Sequence, residues 1–263
     1  MNVDHFHNPG ETVVASSTFS EIGGKGINQA IAAARMGAKV SFLAAVGDDA
    51  DGKQCQRCAA NEGIDGHFAV KQGEKTTFAF ILTDSRGENR VTGYHGAELT
   101  ADDVAGFEEA IARSDILLLQ QEVPEGVNIA AARLAKKHGV QVILNPAPIR
   151  PISPDLAENV DLVTPNEHEA AGLAGYHFPQ QVTTLGGEGC QIRGGAKIPA
   201  TAVKAVDTTG AGDTFNGVLA VCLAEGCLLE NACRWAVAAS GISVTRHGVL
   251  ASIPSRNEVE RMI

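Results

Sequence analysis

The stretch DTTGAGDTF, residues 207–215, places three small residues directly before an apolar periodic segment. One face of an amphipathic helix follows, formed by Phe215, Val218, Leu219, Cys222 and Leu223. The first backbone N–H groups of such a helix have no partner inside the helix, and the helix dipole favours an anion there. Because Gly210, Ala211 and Gly212 leave this backbone bare, we predict a phosphate-binding turn beside the Asp213 carboxylate.

Two interpretations of Asp213 are compatible with this stretch alone. Asp is common in the first turn of a helix, so Asp213 could be an ordinary helix acid and the glycines a tight turn. A carboxylate beside unpartnered amides can also act as a base toward a substrate hydroxyl, while the amides stabilise the charge on a transferring phosphoryl group.

Short β-rich runs alternate with helical patterns along most of the chain. Strands are predicted at 39–47, 115–123, 140–148 and 160–166, and helices at 51–62 and 125–139. Apolar runs bounded by turn residues fit strands buried on both faces, so the alternation predicts an α/β fold with a mainly parallel sheet covered by helices. Sites in such folds lie beyond the carboxyl ends of the strands. Polar residues fall there, namely Gln120, Gln121, Glu122, Asn145, Asn166 and Glu169.

Three regions depart from this alternation. Residues 77–95 predict a hairpin with its turn at DSRGEN, which could form a small separate sheet with the N-terminal stretch 11–23. Residues 182–206 are punctuated by glycine and predict further hairpins, and residues 211–246 predict two helices broken at EGCLLEN.

Composition limits the classes of protein to consider. The chain has 263 residues, 44% of them hydrophobic, and a net charge of -10, which fits one sizeable domain and argues against a nucleic-acid partner. No apolar run is long enough to span a membrane, and the N-terminus lacks signal-peptide features. Six cysteines in such a chain are expected as free thiols, and the Cys55/Cys58 pair lies in a predicted helix without a second ligand pair. We therefore expect a cytoplasmic protein without a membrane partner.

A second glycine cluster opens the predicted helix in EIGGKGINQAIAAARMGA, residues 21–38. Lys25 and Asn28 lie at its mouth. No Walker A motif is present, and Gln29 occupies the third glycine position of the dinucleotide-binding fingerprint. The cluster alone is a weak signal.

Together, GGKGINQAIAAARMGA (23–38) and DTTGAGDTFNG (207–217) resemble the two signature regions of the PfkB carbohydrate kinase family, in its ribokinase-like branch. Further matches follow in the same order: NVD (2–4), NPGET (8–12), LNPAP (144–148), TPNEHE (164–169), TLGGEG (184–189) and VTRHG (244–248). The resemblance thus covers nearly the whole chain.

The resemblance implies one ribokinase-like domain over residues 1–263, a three-layer α/β fold with a small β-sheet lid formed by about 9–22 and 75–97. It implies an ATP-dependent kinase that phosphorylates a primary hydroxyl of a pentose, ribose being the first candidate, and a homodimer through the lid. A kinase for another sugar or nucleoside and a catalytically inactive sugar-binding homologue are the alternatives. A nicotinamide-dependent dehydrogenase is disfavoured by the missing fingerprint.

The resemblance also implies roles residue by residue. Asp213 would be the base, and the anion hole would be Gly210, Ala211 and Gly212. The sugar would be held by Asn2, Asp4, Gly24, Lys25, Asn28 and Glu122. Mg²⁺ and the phosphates would lie near Asn166 and Glu169. The ATP site would be lined by Thr184, Gly186 and Gly189. A monovalent cation, K⁺ above all, would lie near Asp207, Thr209, Val244, Gly248 and Ser252.

The sequence departs from the family pattern in two places. A first strand is expected before NVD, with a longer stretch between NVDHF and PGET, so Asn2 and Asp4 would have no strand to hold them. The segment 175–182 is also short where the family has a further helical stretch. We interpret both as segments missing from the sequence, the alternative being a truncated and inactive homologue.

Overall fold

The computed structural model describes residues 1–263. Ten helices are present: α1 Lys25–Arg35, α2 Ala50–Asn61, α3 Ala101–Ala105, α4 Glu108–Ala112, α5 Glu125–His138, α6 Pro154–Ala157, α7 Glu167–Gly172, α8 Ala211–Ala224, α9 Leu229–Ser243 and α10 Arg256–Glu260. Ten strands accompany them: β1 Ser41–Gly47, β2 Asp65–Lys71, β3 Phe78–Thr83, β4 Asn89–Tyr94, β5 Ile116–Gln120, β6 Gln141–Asn145, β7 Leu162–Val163, β8 Gln180–Thr184, β9 Cys190–Ile192 and β10 Lys197–Ile198.

The strands form three sheets. The largest has six strands in the order β10-β9-β8-β7-β6-β5, parallel from β5 to β8 and antiparallel from β8 to β10. The parallel pair β1-β2 and the antiparallel pair β3-β4 are separate. The expected mainly parallel layer is therefore present, but it is divided between β1 and β5.

Helices cover both faces of the six-stranded sheet. On one face Ile143, Leu162 and Val182 pack with α8 and α9. On the other face Val142 and Leu144 pack with α5 and with the short helices α3, α4 and α6. Successive residues of β6 thus enter opposite cores, as alternation along a strand requires. This gives the predicted three layers. No helix of the structure combines the length and apolarity needed to cross a membrane.

The predicted elements agree with the structure in type, and mostly to within a few residues. The predicted helix 125–139 is α5, and it ends at Gly139, whose φ of 74° is in the left-handed region that favours glycine. The predicted hairpin at 77–95 is β3-β4. The sequence analysis missed β2 and the short helices α3, α4, α6 and α10. Helices of four or five residues carry too little periodicity to stand out.

The expected strand in the N-terminal stretch is wrong. Residues 9–22 contain no strand, and only isolated bridges join Asn2 to Ser17 and to Thr83 of β3. The exposed hairpin β3-β4 is therefore the only regular part of the predicted lid. Two apolar side chains in 9–22, Val14 and Phe19, are largely exposed and so lack a surface to pack against.

The short connection noted in the sequence still closes a parallel crossover. Residues 164–179 run from β7 to β8 and include α7, and β7 and β8 pair in parallel. These 16 residues are more than the roughly 10–12 that a parallel crossover, helix included, needs. The shortness of 175–182 is therefore absorbed by a loop rather than by loss of the strand.

Helices α1 and α8 approach closely at Gly217. A Cβ atom at Gly217 would lie 2.5 Å from the Gln29 carbonyl oxygen and 2.6 Å from the Ala32 Cβ atom. Only glycine allows this separation between the two helices. The approach brings the residues at the start of α1 against the first turn of α8.

We expect Gly217→Ala to destabilise the protein by about 1–3 kcal/mol, because the added methyl group overpacks a backbone contact that cannot yield without moving α1. Urea unfolding followed by circular dichroism measures the change. Gly126→Ala in α5 is the matched control, because its added Cβ meets nothing within 4 Å. It should stabilise the protein by no more than about 1 kcal/mol through the higher helix propensity of alanine. Equal stability changes in the two variants would contradict the proposed close contact.

Candidate active site

The candidate site lies where α1 and α8 meet the carboxyl ends of β5, β6 and β7. Asp213 is in the first turn of α8 and is buried, with 6% of its surface exposed. The Asn28 side-chain amide donates to Asp213 Oδ2 at 2.9 Å, and the Gln29 amide donates to Asp213 Oδ1 at 3.1 Å. Both carboxylate oxygens are therefore held by neutral donors from α1.

Gln29 connects Asp213 to the central sheet. Its Nε2 also donates to Asn145 Oδ1 at 3.2 Å, and Asn145 Nδ2 donates to the Thr164 carbonyl oxygen at 3.1 Å. Asn145 is the last residue of β6, and Thr164 follows β7. A buried polar chain therefore runs from the ends of two strands to the carboxylate on α8.

Burial raises the pKa of the Asp213 carboxyl above its usual range, since an ion is poorly solvated in the interior. The hydrogen bond from Asn28, the positive charge of Lys25 and the hydrogen bond from Gln29 all act in the opposite direction. A carboxyl group with a raised pKa and donors to its charged form has the character of a general base.

The turn before Asp213 has the predicted bare backbone. Gly210 precedes α8 with a φ of 75°, and its added Cβ would lie 2.7 Å from Val249 Cγ1, so glycine is required on both grounds. The Ala211 amide donates to the Thr208 carbonyl oxygen at 3.3 Å. The amides of Gly212 and Asp213 have no acceptor in the chain, and nothing lies within 4 Å of an added Cβ at Gly212. Two amides at an open helix N-terminus thus remain for an anion.

Glu122 closes the N-terminus of the neighbouring helix. Its Oε2 accepts a hydrogen bond from the Lys25 backbone amide at 2.7 Å and lies 3.6 Å from an added Cβ at Gly24. The structure therefore brings four of the predicted sugar-binding residues together at the start of α1, namely Gly24, Lys25, Asn28 and Glu122, and Asn28 links this group to Asp213.

Asn28 carries an unsatisfied acceptor in this group. Its Oδ1 is buried and has no hydrogen-bond partner. A buried carbonyl oxygen without a donor is costly by about 1–3 kcal/mol, so such groups mark places where a ligand hydroxyl can bind.

Asn2 and Asp4 lie elsewhere in the structure. The Asn2 side chain donates to Ser17 Oγ at 2.8 Å beside the hairpin, and the Asp4 side chain is 89% exposed and contacts His5. Neither has a polar contact with Asp213, Asn28 or Glu122.

The residues predicted to line the nucleotide meet at the ends of β7 and β8. The backbone of Asn166 bridges to Thr184 in parallel, and the Thr184 amide donates to the Pro165 carbonyl oxygen at 2.9 Å. Gly186 has a φ of 51°. Gly189 has a φ of 93°, and its added Cβ would lie 1.9 Å from the Ile198 carbonyl oxygen, so the TLGGEG turn packs directly on β10.

Glu169 and Asn166 form a capping box at the start of α7. Glu169 Oε2 accepts from the Asn166 amide at 2.8 Å, and Asn166 Oδ1 accepts from the Glu169 amide at 2.8 Å. Glu169 is largely buried, with its Oε1 receiving no hydrogen bond from the chain. The capping role that a first-turn acid commonly has is thus present, and one carboxylate oxygen remains open.

Four of the five residues predicted at the cation site converge on one turn. Asp207 Oδ1 accepts from the Thr209 amide at 2.9 Å and Oδ2 from the Gly248 amide at 3.2 Å, while the Val244 carbonyl oxygen accepts from the Asp207 amide at 3.2 Å. Burial works to raise the pKa of Asp207, but the hydrogen bonds from Thr209 and Gly248 outweigh it and lower the pKa. Ser252, the fifth, donates to the Val249 carbonyl oxygen one turn away.

Sequence reasoning missed three members of the buried polar network as site residues, namely Gln29, Thr164 and Asn216. Asn145 was predicted at a strand end but without a role, and its contacts with Gln29 are described above. Asn216 Nδ2 donates to the Gly212 carbonyl oxygen at 2.8 Å, and Asn216 Oδ1 accepts from the Thr164 hydroxyl at 2.5 Å. Gln29 and Asn216 are polar residues in otherwise apolar parts of the two signatures, and that signal would have found them.

The sequence matches the model of the family described as pfkB family carbohydrate kinase over residues 1–256. A ribokinase of Haemophilus influenzae is 40% identical over 283 residues, covering 98% of this chain and 92% of that protein. Because this alignment is longer than the 263 residues of the chain, that relative contains segments without a counterpart here.

Solved structures have the same fold. The crystal structure of a ribokinase from Thermotoga maritima has a TM-score of 0.89 at 35% identity, covering 99% of this chain and 94% of that one. The structure of Arabidopsis thaliana ribokinase complexed with ribose and ATP has a TM-score of 0.88 at 31% identity, covering 99% and 93%.

Proposed function

The chain belongs to the pfkB family of carbohydrate kinases, and on that premise we propose that it is an ATP-dependent kinase that transfers the γ-phosphate of ATP to a primary hydroxyl of ribose. The observation that carries the proposal is the buried Asp213 carboxylate beside the unpartnered amides of Gly212 and Asp213. The relatives named above are ribokinases, and one of them was solved with ribose and ATP.

The chemistry follows from these groups. Asp213 takes the proton of the sugar hydroxyl while the hydroxyl oxygen forms a bond to the γ-phosphorus. The bond from that phosphorus to the β–γ bridging oxygen breaks, and ADP leaves. The anion hole is the turn Gly210, Ala211 and Gly212, and the free amides of Gly212 and Asp213 stabilise the charge on the transferring group. Closure of the proposed lid would keep water away from the phosphoryl group.

We assign sugar binding to Gly24, Lys25, Asn28 and Glu122, and in the complete site to Asn2 and Asp4. The unpartnered Asn28 Oδ1 supports this assignment, because a sugar hydroxyl would satisfy it. Asn2 and Asp4 would reach the sugar only if their segment moved from its present position beside Ser17 and Thr83.

We assign the nucleotide side of the site to Asn166, Thr184, Gly186 and Gly189, with Glu169 toward Mg²⁺. The open Oε1 of Glu169 supports a magnesium role, since Mg²⁺ prefers carboxylate and water oxygens. When bound with ATP, Mg²⁺ would neutralise charge on the phosphates. Glu169 would act directly or through water.

We assign a monovalent-cation site to Asp207, Thr209, Val244, Gly248 and Ser252. The ionised Asp207 carboxylate and the Val244 carbonyl oxygen lie on one turn, and such hard oxygen donors suit K⁺. The turn packs on Gly210 through Val249, so an ordered cation there would stiffen the anion hole.

We propose a single domain over residues 1–263, in which residues 9–22 and 75–97 form a lid and a homodimer contact. The exposed apolar side chains of β3-β4 support the dimer. Phe78 stacks on Tyr94 with ring centroids 5.2 Å apart, and Phe80 and Val91 are more than half exposed.

We also propose a cytoplasmic location, where ATP is consumed and the six free thiols stay reduced. Cell fractionation with sugar-dependent turnover as the marker tests this, and turnover confined to an extracellular fraction would overturn it.

ADP release coupled to a dehydrogenase reporter tests the proposed reaction. With Mg²⁺, K⁺ and ATP, we expect turnover with ribose above that with deoxyribose, fructose and nucleosides. Asp213→Asn should lose about 10²- to 10⁴-fold of the turnover because the general base is removed. Turnover with another acceptor would correct the substrate, while sugar binding without any turnover would indicate the inactive homologue.

Replacing K⁺ by tetramethylammonium at equal ionic strength tests the cation site. We expect turnover to fall several-fold in the unaltered protein and much less in Asp207→Asn, which has already lost the charge that binds the cation. Equal rates in the two salts for the unaltered protein would remove the proposed site.

Analytical ultracentrifugation tests the lid contact. We expect a dimer that Phe80→Asp converts to a monomer, because a charge would replace an exposed aromatic ring that the proposed dimer contact covers. Leu228→Asp is the control, since Leu228 is equally apolar and 76% exposed but far from the hairpin in the chain. A monomer for the unaltered protein would contradict the dimer.

A further inference from the structure

We propose that Gln29 is the positioning residue of Asp213: anchored by Asn145, it fixes the rotation of the Asp213 carboxylate so that the base meets the substrate hydroxyl in one orientation. The proposal rests on the proposed role of Asp213 as base. It adds two residues, Gln29 and Asn145, that touch neither sugar nor nucleotide in that role.

In the series of hydrogen bonds from Thr164 to Asp213, each side-chain amide is oriented by its neighbour. The Thr164 carbonyl oxygen can only accept, so the group of Asn145 that faces it at 3.1 Å must be Nδ2. Asn145 Oδ1 then faces Gln29 at 3.2 Å and requires a donor there. Gln29 therefore presents its Nε2, which also donates to Asp213 Oδ1 at 3.1 Å. A backbone carbonyl of the sheet thus sets the direction of the donor to the base.

Asn28 cannot supply the same constraint. It donates to Asp213 Oδ2 at 2.9 Å, but its own Oδ1 has no partner, so nothing on its far side fixes its amide. The two neighbouring residues of α1 consequently differ in role. Asn28 is free to respond to a sugar hydroxyl, whereas Gln29 has its amide nitrogen engaged by Asn145 and Asp213.

Burial makes the Gln29 link obligatory. Gln29 and Asn145 are 2% and 7% exposed. A non-polar residue at position 29 would leave both Asn145 Oδ1 and Asp213 Oδ1 without the donor that Gln29 supplies. A buried acceptor without a hydrogen bond is unfavourable. The Asp213 carboxylate would then be free to turn, and its ionised form would lose one of its two donors.

The direction of the pH effect follows from the same contacts. Lys25 of α1 is the charged side chain that acts on Asp213, and the β6 end contributes only the neutral Asn145. Burial raises the pKa of Asp213, and Gln29 lowers it. Loss of the Gln29 donor therefore raises this pKa further, so a smaller fraction of the base is ionised at a given pH.

The test is Gln29→Met in the full chain, with Gln56→Met on the outer helix α2 as a matched control. We expect kcat to fall about 10- to 100-fold, as for loss of a hydrogen bond to a charged group, with the KM for ribose nearly unchanged. The acidic limb of the profile of kcat/KM against pH should move to higher pH. Gln56→Met should change none of these values.

Asn145→Leu is the second variant and keeps the test decisive if Gln29→Met does not fold. It should lower kcat and move the acidic limb in the same direction by a smaller amount, because Gln29 keeps its donor but loses its anchor. In an Asp213→Asn background, Gln29→Met should have no further effect on kcat.

The outcomes separate the two proposals. Unchanged kcat and an unchanged pH profile in folded Gln29→Met, with Asp213→Asn inactive, would overturn the positioning role alone. A raised KM with unchanged kcat would also overturn it, because Gln29 would then bind the sugar. Full turnover in Asp213→Asn would instead overturn the base assignment on which the proposal rests.

Discussion

The close approach of α1 and α8 is the constraint on which the candidate site depends. At Gly217 the two helices are so near that a methyl group would collide with the backbone of α1. That separation allows the short amide side chains of Asn28 and Gln29 to reach both oxygens of Asp213. With longer spacing the carboxylate would be buried without donors, and an unpaired ion in the interior is strongly unfavourable. The glycine that ends the second signature thus matters for the base, although it lies four residues away.

Much of the fold could be predicted from the sequence because the relevant signals are local. Continuous apolar runs indicated the parallel strands, Gly139 indicated the end of α5, and the turn at DSRGEN indicated the hairpin in 77–95. The bare turn at 210–212 and the acid that follows it were also legible, because helix termini have known unsatisfied groups. The structure adds which amides of that turn remain without an acceptor. The Ala211 amide has one and the Gly212 amide does not, and the sequence alone could not predict this difference.

The remainder depends on contacts between distant segments. The pairing of Gln29 with Asn145 joins a helix to the end of a strand, and neither residue signals the other in the sequence. The sequence also did not predict the division of the parallel layer between β1 and β5. Both strands were predicted, but their sequences do not show that β1 and β5 belong to separate sheets. Asn2 and Asp4 illustrate the same limit. Their residue types suit a sugar site, but their position is set by the backbone on which they lie, here bridged to Ser17 and Thr83.

The hydrogen bonds between α1 and Asp213 join residues that are 184 and 185 positions apart in a chain of 263. Closing so large a loop carries an entropic cost that is recovered only once the intervening strands are in place. The base, its two amide donors and their anchor on β6 therefore come from three well-separated parts of the chain. No contiguous half of this protein contains the complete set, and a nascent chain emerging from the ribosome acquires it only after α8 has been synthesised.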